Sequence, residues 1–162
     1  MTTRNIATFY LDNDLFGVDI LYVREINRQL DLTPVPRAPE FVEGLLNLRG
    51  QIVTVLDLKK RLGVGKTRLH ENTHNLILKT EPELHAIRQR ENANLDDRPL
   101  TPDLTSLLVD QIGDVVAVEE SAVEPPPANL AQIDRRYISG IVKLEKRLLT
   151  VLNVSTLQHG LN

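Results

Sequence analysis

Short runs of apolar residues separated by turn residues dominate the chain. Ile6 to Leu11 reads as a strand. Asp12-Asn13-Asp14 carries turn chemistry, because Asn and Asp tolerate left-handed backbone and hydrogen-bond within their own turns. Leu15 to Ile20 returns as a second strand, so the pair predicts a hairpin. Tyr22, Val23 and Ile26 extend the apolar pattern, with Arg24 and Glu25 between them. Pro34, Pro36 and Pro39 then predict a connector, since each removes a ladder donor and biases its predecessor to extended backbone. Leu45–Leu48 and Gln51–Leu58 form the clearest hairpin, with Arg49-Gly50 at its tip. Ile52, Leu56 and Leu58 fall on one face of the second arm, and Val53 and Val55 on the other, which predicts burial on both sides. Asn75–Lys79, Leu107–Val109 and Ile112–Val118 supply further strands. Pro125–Pro127 mark a stiff connector, and Ile141–Leu144 with Arg147–Val154 make a last hairpin.

The two clearest hairpins are copies of each other. GLLNLRGQIVTVLDL at 44–58 recurs as GIVKLEKRLLTVLNV at 140–154, an offset of 96 residues (140 minus 44). Gly44 matches Gly140, Leu48 matches Leu144, and Thr54-Val55-Leu56 matches Thr150-Val151-Leu152. A motif used twice, short strands and frequent turns predict an all-β protein of two small barrels, one per copy. The expected division is about 1–75 for the first barrel and 76–162 for the second, with the termini free to cross between them. Residues 80–103 interrupt the pattern as a polar insertion between two strands. Thr80 and Glu83 have capping-box spacing, Pro82 suits a first helical turn, and Leu84 and Ile87 are three apart, so a short helix is expected from about 81 to 91.

Composition removes several function classes. The net charge of −3 gives no electrostatic reason to expect nucleic acid. The one basic run, Lys59, Lys60, Arg61, Lys66 and Arg68, lacks interleaved aromatics and reads as a solvated loop after a strand. With no cysteine, disulfides, thiolate chemistry and cysteine zinc sites are excluded. The N-terminus has no apolar run suited to a signal peptide, and no segment approaches the roughly 20 apolar residues of a membrane span. A cytoplasmic protein without direct membrane insertion is the simplest expectation.

Catalytic chemistry is thin. His70-Glu71-Asn72-Thr73-His74 matches H-E-x-x-H, which on a helix places two imidazoles on one face to grip zinc while the glutamate activates water. Here the motif follows Gly63 and Gly65 and runs into an expected strand at Asn75, and Asn72 and Thr73 are poor helix formers. Polar-loop composition is therefore the expected reading, and a zinc hydrolase using His70, Glu71 and His74 the alternative. No nucleophile elbow or phosphate loop occurs, no cofactor is implied, and the adjacent acids Asp96-Asp97 and Glu119-Glu120 read as solvated charge. What remains is surface: Arg49 at the hairpin tip, and Glu25 between Val23 and Ile26, are candidate partner contacts.

FGVDILYVREI (16–26), VPRAPEFVEGLLNLRGQIVTVLDLKKRLG (35–63), LLVDQIGDVVAV (107–118) and YISGIVKLEKRLLTVLNV (137–154) together resemble the CheW-like chemotaxis coupling domain. The resemblance spans nearly the whole chain. It implies two SH3-like five-stranded barrels side by side and a non-enzymatic adaptor bridging the cytoplasmic tip of a methyl-accepting chemoreceptor to the regulatory domain of a histidine kinase. Val23 and Glu25 resemble positions involved in coupling. Gly44 resembles one implicated in kinase binding, and Arg49 one needed for kinase control. Ile112 and Val115 resemble apolar positions near the receptor groove. Thr54 stands where the family commonly has proline, residues 80–103 exceed the usual short hairpin, and Glu145-Lys146 replaces small turn residues. A coupling protein for a twitching or developmental pathway is the same reading with a different output.

Overall fold

The computed structural model describes residues 2–91, 98–128 and 132–161. Its strands are β1 (Thr3–Leu11), β2 (Asp14–Asp19), β3 (Val23–Asn27), β4 (Val42–Leu48), β5 (Gln51–Asp57), β6 (His74–Leu78), β7 (Thr105–Val109), β8 (Gln111–Glu119), β9 (Val123–Glu124), β10 (Ile138–Lys143) and β11 (Leu148–Leu152). Three α-helices join them: α1 (Leu58–Leu62), α2 (Glu81–Glu91) and α3 (Val154–Leu157). The protein is mostly β, as its pattern of short apolar runs requires.

The strands form two sheets, ordered β8-β1-β2-β11-β10-β9 and β3-β6-β7-β5-β4. Among the described residues the strand pairings give one sheet of six strands and one of five, with no backbone ladder joining the first strand of either order to its last. Both ends of the chain contribute strands to one sheet. The first takes its strands from 3–19 and 111–152, and the second from 23–109. Parallel pairing explains this. β5 runs parallel to β7, and β11 parallel to β2. A parallel neighbour cannot come from a tight hairpin, so each duplicated hairpin must recruit a strand from elsewhere in the chain. The sheets also exchange strands. β3 leaves the N-terminal hairpin to pair with β6, and β8 leaves β7 after Asp110 to pair with β1.

The repeat is visible in backbone detail. Both copies shift register just before their leading glycine, between Val42 and Gly44 and between Ile138 and Gly140. A Cβ at Gly44 would sit 2.8 Å from the Thr33 carbonyl oxygen, and one at Gly140 2.3 Å from Val123 Cγ1. In each copy a neighbouring segment crosses where only a hydrogen fits. Each copy then ends on a side-chain helix cap. Asp57 accepts from the amides of Lys59, Lys60 and Thr67, and Asn153 from that of Thr156.

Burial is organised in three clusters. Leu46, Leu48, Val53, Val55, Ile77 and Leu108 fill the second sheet, and Ile6, Leu15, Val142, Leu149 and Val151 the first. A larger cluster, including Phe9, Val18, Leu56, Leu58, Leu76, Leu107 and Leu152, draws on both. β5 is therefore buried on both faces, but only from Val53 onward. Ile52, expected inside, is 59% exposed. Helix α2 forms where its sequence signals placed it, with Thr80 N and Oγ1 donating to Glu83 Oε1 at 3.0 Å each. Leu84, Ile87 and Leu100 are buried, and Leu84 and Leu100 join the shared cluster. The described parts of the insertion are thus docked into the core. Asp96-Asp97 lie outside the described residues.

The basic run is not the solvated loop its composition suggested. Lys59 is only 7% exposed and pairs with Asp12 at 2.7 Å and Asp110 at 3.4 Å. Burial disfavours its charge, but those two carboxylates more than offset this and its pKa is raised. The Arg61 guanidinium stacks on Phe41 and Tyr137, 4.2 and 5.1 Å from the ring centroids. It also donates to the carbonyls of Leu157, Thr156 and His159. The α1 of one copy is thereby fastened to the α3 of the other. Lys66 and Arg68 are exposed, as expected.

Candidate partner-binding surface

The best-defined surface feature is the end of the β4–β5 hairpin. Arg49 and Gly50 have φ of 50° and 88°, so both residues of the turn are left-handed, as a two-residue hairpin turn matched to strand twist demands. Asn47 Oδ1 accepts from Gly50 N at 2.8 Å. This turn holds Arg49 out from the sheet, its side chain 70% exposed.

Arg49 does not stand alone. Its Nη2 donates to Glu25 Oε1 on β3, which lies at the opposite end of the same sheet's strand order. The hydrogen bond from Arg49 holds the Glu25 carboxyl below the usual glutamate range, against a smaller opposing effect of burial. The approach is made possible by a register shift in β3. Val23 faces Leu78, yet Glu25 faces Ile77, leaving Arg24 as the extra residue of a bulge. Arg24 Nη1 lies 3.4 Å from Gln51 Oε1 at the start of β5, and its Nε and Nη2 reach both oxygens of Glu83 on α2 at 3.1 and 2.9 Å. Ile26 and Ile52, 43% and 59% exposed, neighbour Glu25 and Gln51 along their strands. A charged centre with apolar neighbours is the composition of an interface hot spot.

The remaining expected positions divide in two. Val23 and Ile112 are half-buried and pack against the same shared cluster, one from each sheet. Val115, also on β8, is 56% exposed. Gly44 is buried beneath the Thr33–Leu45 bridge, where the close approach itself requires glycine. Sequence reasoning flagged Glu25 and Arg49 separately and missed their pairing. It also missed the Arg24–Glu83 clamp, although the capping-box signal had already singled out Glu83.

The H-E-x-x-H segment is not helical. Residues 71–72 form a turn and His74 opens β6. His70 Nδ1 accepts from Asn72 N at 3.1 Å, while His74 Nδ1 lies 2.7 Å from the Asn72 carbonyl oxygen. Thr73 is fully buried, its hydroxyl accepting from His70 N at 3.0 Å. The helix face on which two imidazoles would share a metal does not form. Among the described residues no three His, Asp or Glu side chains are grouped to hold a metal ion. Among them, too, no helix is long and apolar enough to cross a membrane.

Comparison with known proteins agrees with this geometry. The CheW-like domain model matches residues 5–160. Chemotaxis protein CheW of Treponema pallidum is 31% identical over 156 residues, covering 94% of this chain and 80% of the relative. The protein of the same description from Klebsiella aerogenes is 27% identical over 149 residues, covering 92% and 78%. Among solved structures, the scaffolding protein TtCheW from Thermoanaerobacter tengcongensis superposes with a TM-score of 0.77 at 29% identity, covering 97% of this chain and 88% of that one. Sequence and fold together place this chain in the CheW-like domain family.

Proposed function

We propose that this protein is a chemotaxis coupling adaptor that binds a chemoreceptor and a histidine kinase at once and catalyses no reaction. The kinase face is the end of the β4–β5 hairpin, with Arg49 and Glu25 at its centre. The receptor face is the seam of the exchanged strands, with Val23, Ile112 and Val115. The observation that carries the reading is an exposed arginine held on a rigid left-handed turn by a carboxylate from the opposite end of its sheet. Such an arginine is pre-ordered, so less side-chain entropy is lost when a partner takes it. We also read each sheet as an SH3-like barrel curled on itself. The Glu25–Arg49 pair and the Arg24–Gln51 hydrogen bond, both running between strands far apart in the sheet, support this for the second. The working environment is the cytoplasm, beside the receptor tips.

The adaptor would act by linkage. Holding both partners in one geometry lets receptor state bias kinase activity through a coupling of binding free energies. Arg49→Ala is expected to leave the fold intact and to weaken kinase activation in a reconstituted receptor–kinase assay. Unchanged activation would remove the role assigned to Arg49.

A further inference from the structure

The Arg49 turn lies within reach of one more charged device. At the β3 bulge, Arg24 and Glu25 stand side by side, and two further charges compete for them: Glu83 from α2 and Arg49 from the hairpin tip. In the structure the four charges sort into two pairs, Arg24 with Glu83 and Glu25 with Arg49. We infer that Glu83 serves as a decoy counter-ion, occupying Arg24 so that Glu25 remains available to hold Arg49 in its partner-binding pose. Arg24 and Glu83 are thus positioning residues. The inference rests on the reading of Arg49 as the kinase contact, and it deepens that reading by assigning α2 a regulatory place.

The geometry gives the competition its direction. Arg24 meets Glu83 through both carboxylate oxygens and lends Gln51 a hydrogen bond, while Arg49 uses one nitrogen on one oxygen of Glu25. The Arg24 side chain is 29% exposed and that of Arg49 70%. Leaving a charge unpaired costs more where water is scarcer. If Glu83 loses its charge, two arginines face one glutamate. The more enclosed Arg24 takes Glu25, and Arg49 is released to solvent. Arg24 is already close enough for its charge to favour the ionised form of Glu25. Glu83 is itself held ionised, because the Thr80 hydrogen bonds and Arg24 outweigh the burial that opposes its charge.

The test uses the full chain. Glu83→Gln removes the charge but keeps a residue able to complete the capping box, so α2 stays capped. Side-chain NMR of the arginine Nε–H groups reads the free protein, and calorimetry with the kinase regulatory domain reads binding. Glu83→Gln is expected to move the Arg49 signal toward that of a solvated arginine and to weaken kinase binding by about fivefold. Adding Arg24→Gln removes the competitor and should restore both the Arg49 signal and most of the affinity. A merely structural clamp could also be rescued in affinity by losing its second half, but it would leave the Arg49 signal unmoved in both variants. In an Arg49→Ala background, Glu83→Gln should cause no further loss. The inference is overturned if Glu83→Gln leaves the Arg49 signal unmoved, if the double variant is no better than the single, or if the binding loss persists without Arg49. Should Arg49→Ala alone leave kinase affinity unchanged, the kinase reading fails, and the NMR arm still decides the competition.

Discussion

Arg61 makes the sharpest prediction about what unites the two copies. Its guanidinium lies between Phe41 and Tyr137 and donates to three carbonyls around the end of α3. Each stack is worth about 0.5–1 kcal/mol in a partly exposed setting. Of the hydrogen bonds, Nε to Leu157 O at 2.9 Å is part-buried, while Nη2 to His159 O at 2.6 Å is exposed, so water replaces the latter when it is lost. A hydrogen bond to a charged group contributes about 1.5–3 kcal/mol, and the three share one side chain, so they do not simply add. Arg61→Ala should therefore cost about 3 kcal/mol. For a domain of this size that lowers the melting midpoint by about 6–12 °C. Urea denaturation followed by far-UV circular dichroism reads the loss as a lower midpoint at unchanged slope. Arg61→Lys keeps the charge but loses the planar fork and the stacking, and should recover less than half of the loss. A loss below about 1 kcal/mol for Arg61→Ala would refute the claim that this arginine fastens α1 to α3.

Arg49→Ala, in contrast, should change stability by no more than about 1 kcal/mol, since its ion pair is exposed, while reducing kinase activation; a thermal melt beside the activation assay separates the two. Gly44→Asp should lower the melting midpoint as well as kinase binding, because its Cβ would lie 2.8 Å from the Thr33 carbonyl oxygen; a fully stable variant with weakened binding would instead make Gly44 a direct contact. Leu84→Ala should cost about 2–5 kcal/mol in urea melts, as expected of a fully buried leucine in the shared cluster and not of a residue in a loose insertion. The carboxyls of Glu25 and Glu83 are both held low, so their stabilisation is complete above the free glutamate value of about 4.3 and is lost as pH falls through the lowered folded values. The Arg49 side-chain NMR signal should accordingly be unchanged between about pH 7 and pH 5 and move only below the free-glutamate range.

Legibility from sequence followed the range of the interactions involved. The β1–β2 and β4–β5 hairpins, the Arg49-Gly50 turn and α2 are local features, written in turn residues, alternation and a capping box, and each was readable from its own neighbourhood. The duplicated segment was readable because both copies must leave room for a crossing chain and must end on a side-chain cap. The strand exchange was not readable, because the pairings of β3 with β6 and β8 with β1 leave no periodicity that differs from an ordinary hairpin continuation. Lys59 and Arg61 were misread for the same reason. Charge alone predicts solvent, and only tertiary structure brings Asp12 and Asp110 to one of them and two aromatic rings to the other. Glu25 and Arg49 were recognised as surface candidates, but their pairing depends on a bulge that inserts Arg24 between Val23 and Glu25. No local signal in Val23-Arg24-Glu25 announces it.

That bulge gives the proposed coupling a physical route. Three consecutive residues of β3 serve three neighbours: Val23 packs on the shared cluster, Arg24 grips α2, and Glu25 holds the Arg49 turn. In the proposed reading, a receptor segment pressing on Val23 would act on the strand whose Glu25, two residues on, holds Arg49. Linkage then requires reciprocity: the factor by which receptor binding changes kinase affinity must equal the factor by which kinase binding changes receptor affinity. Glu25→Gln removes the last member of this relay while leaving Val23 and its packing in place. It should therefore reduce both factors together and leave the affinity for receptor alone unchanged. Titrations of each partner in the presence and absence of the other measure both factors. If Glu25→Gln leaves both factors unchanged, or weakens receptor binding by itself, β3 is not the element that joins the two faces.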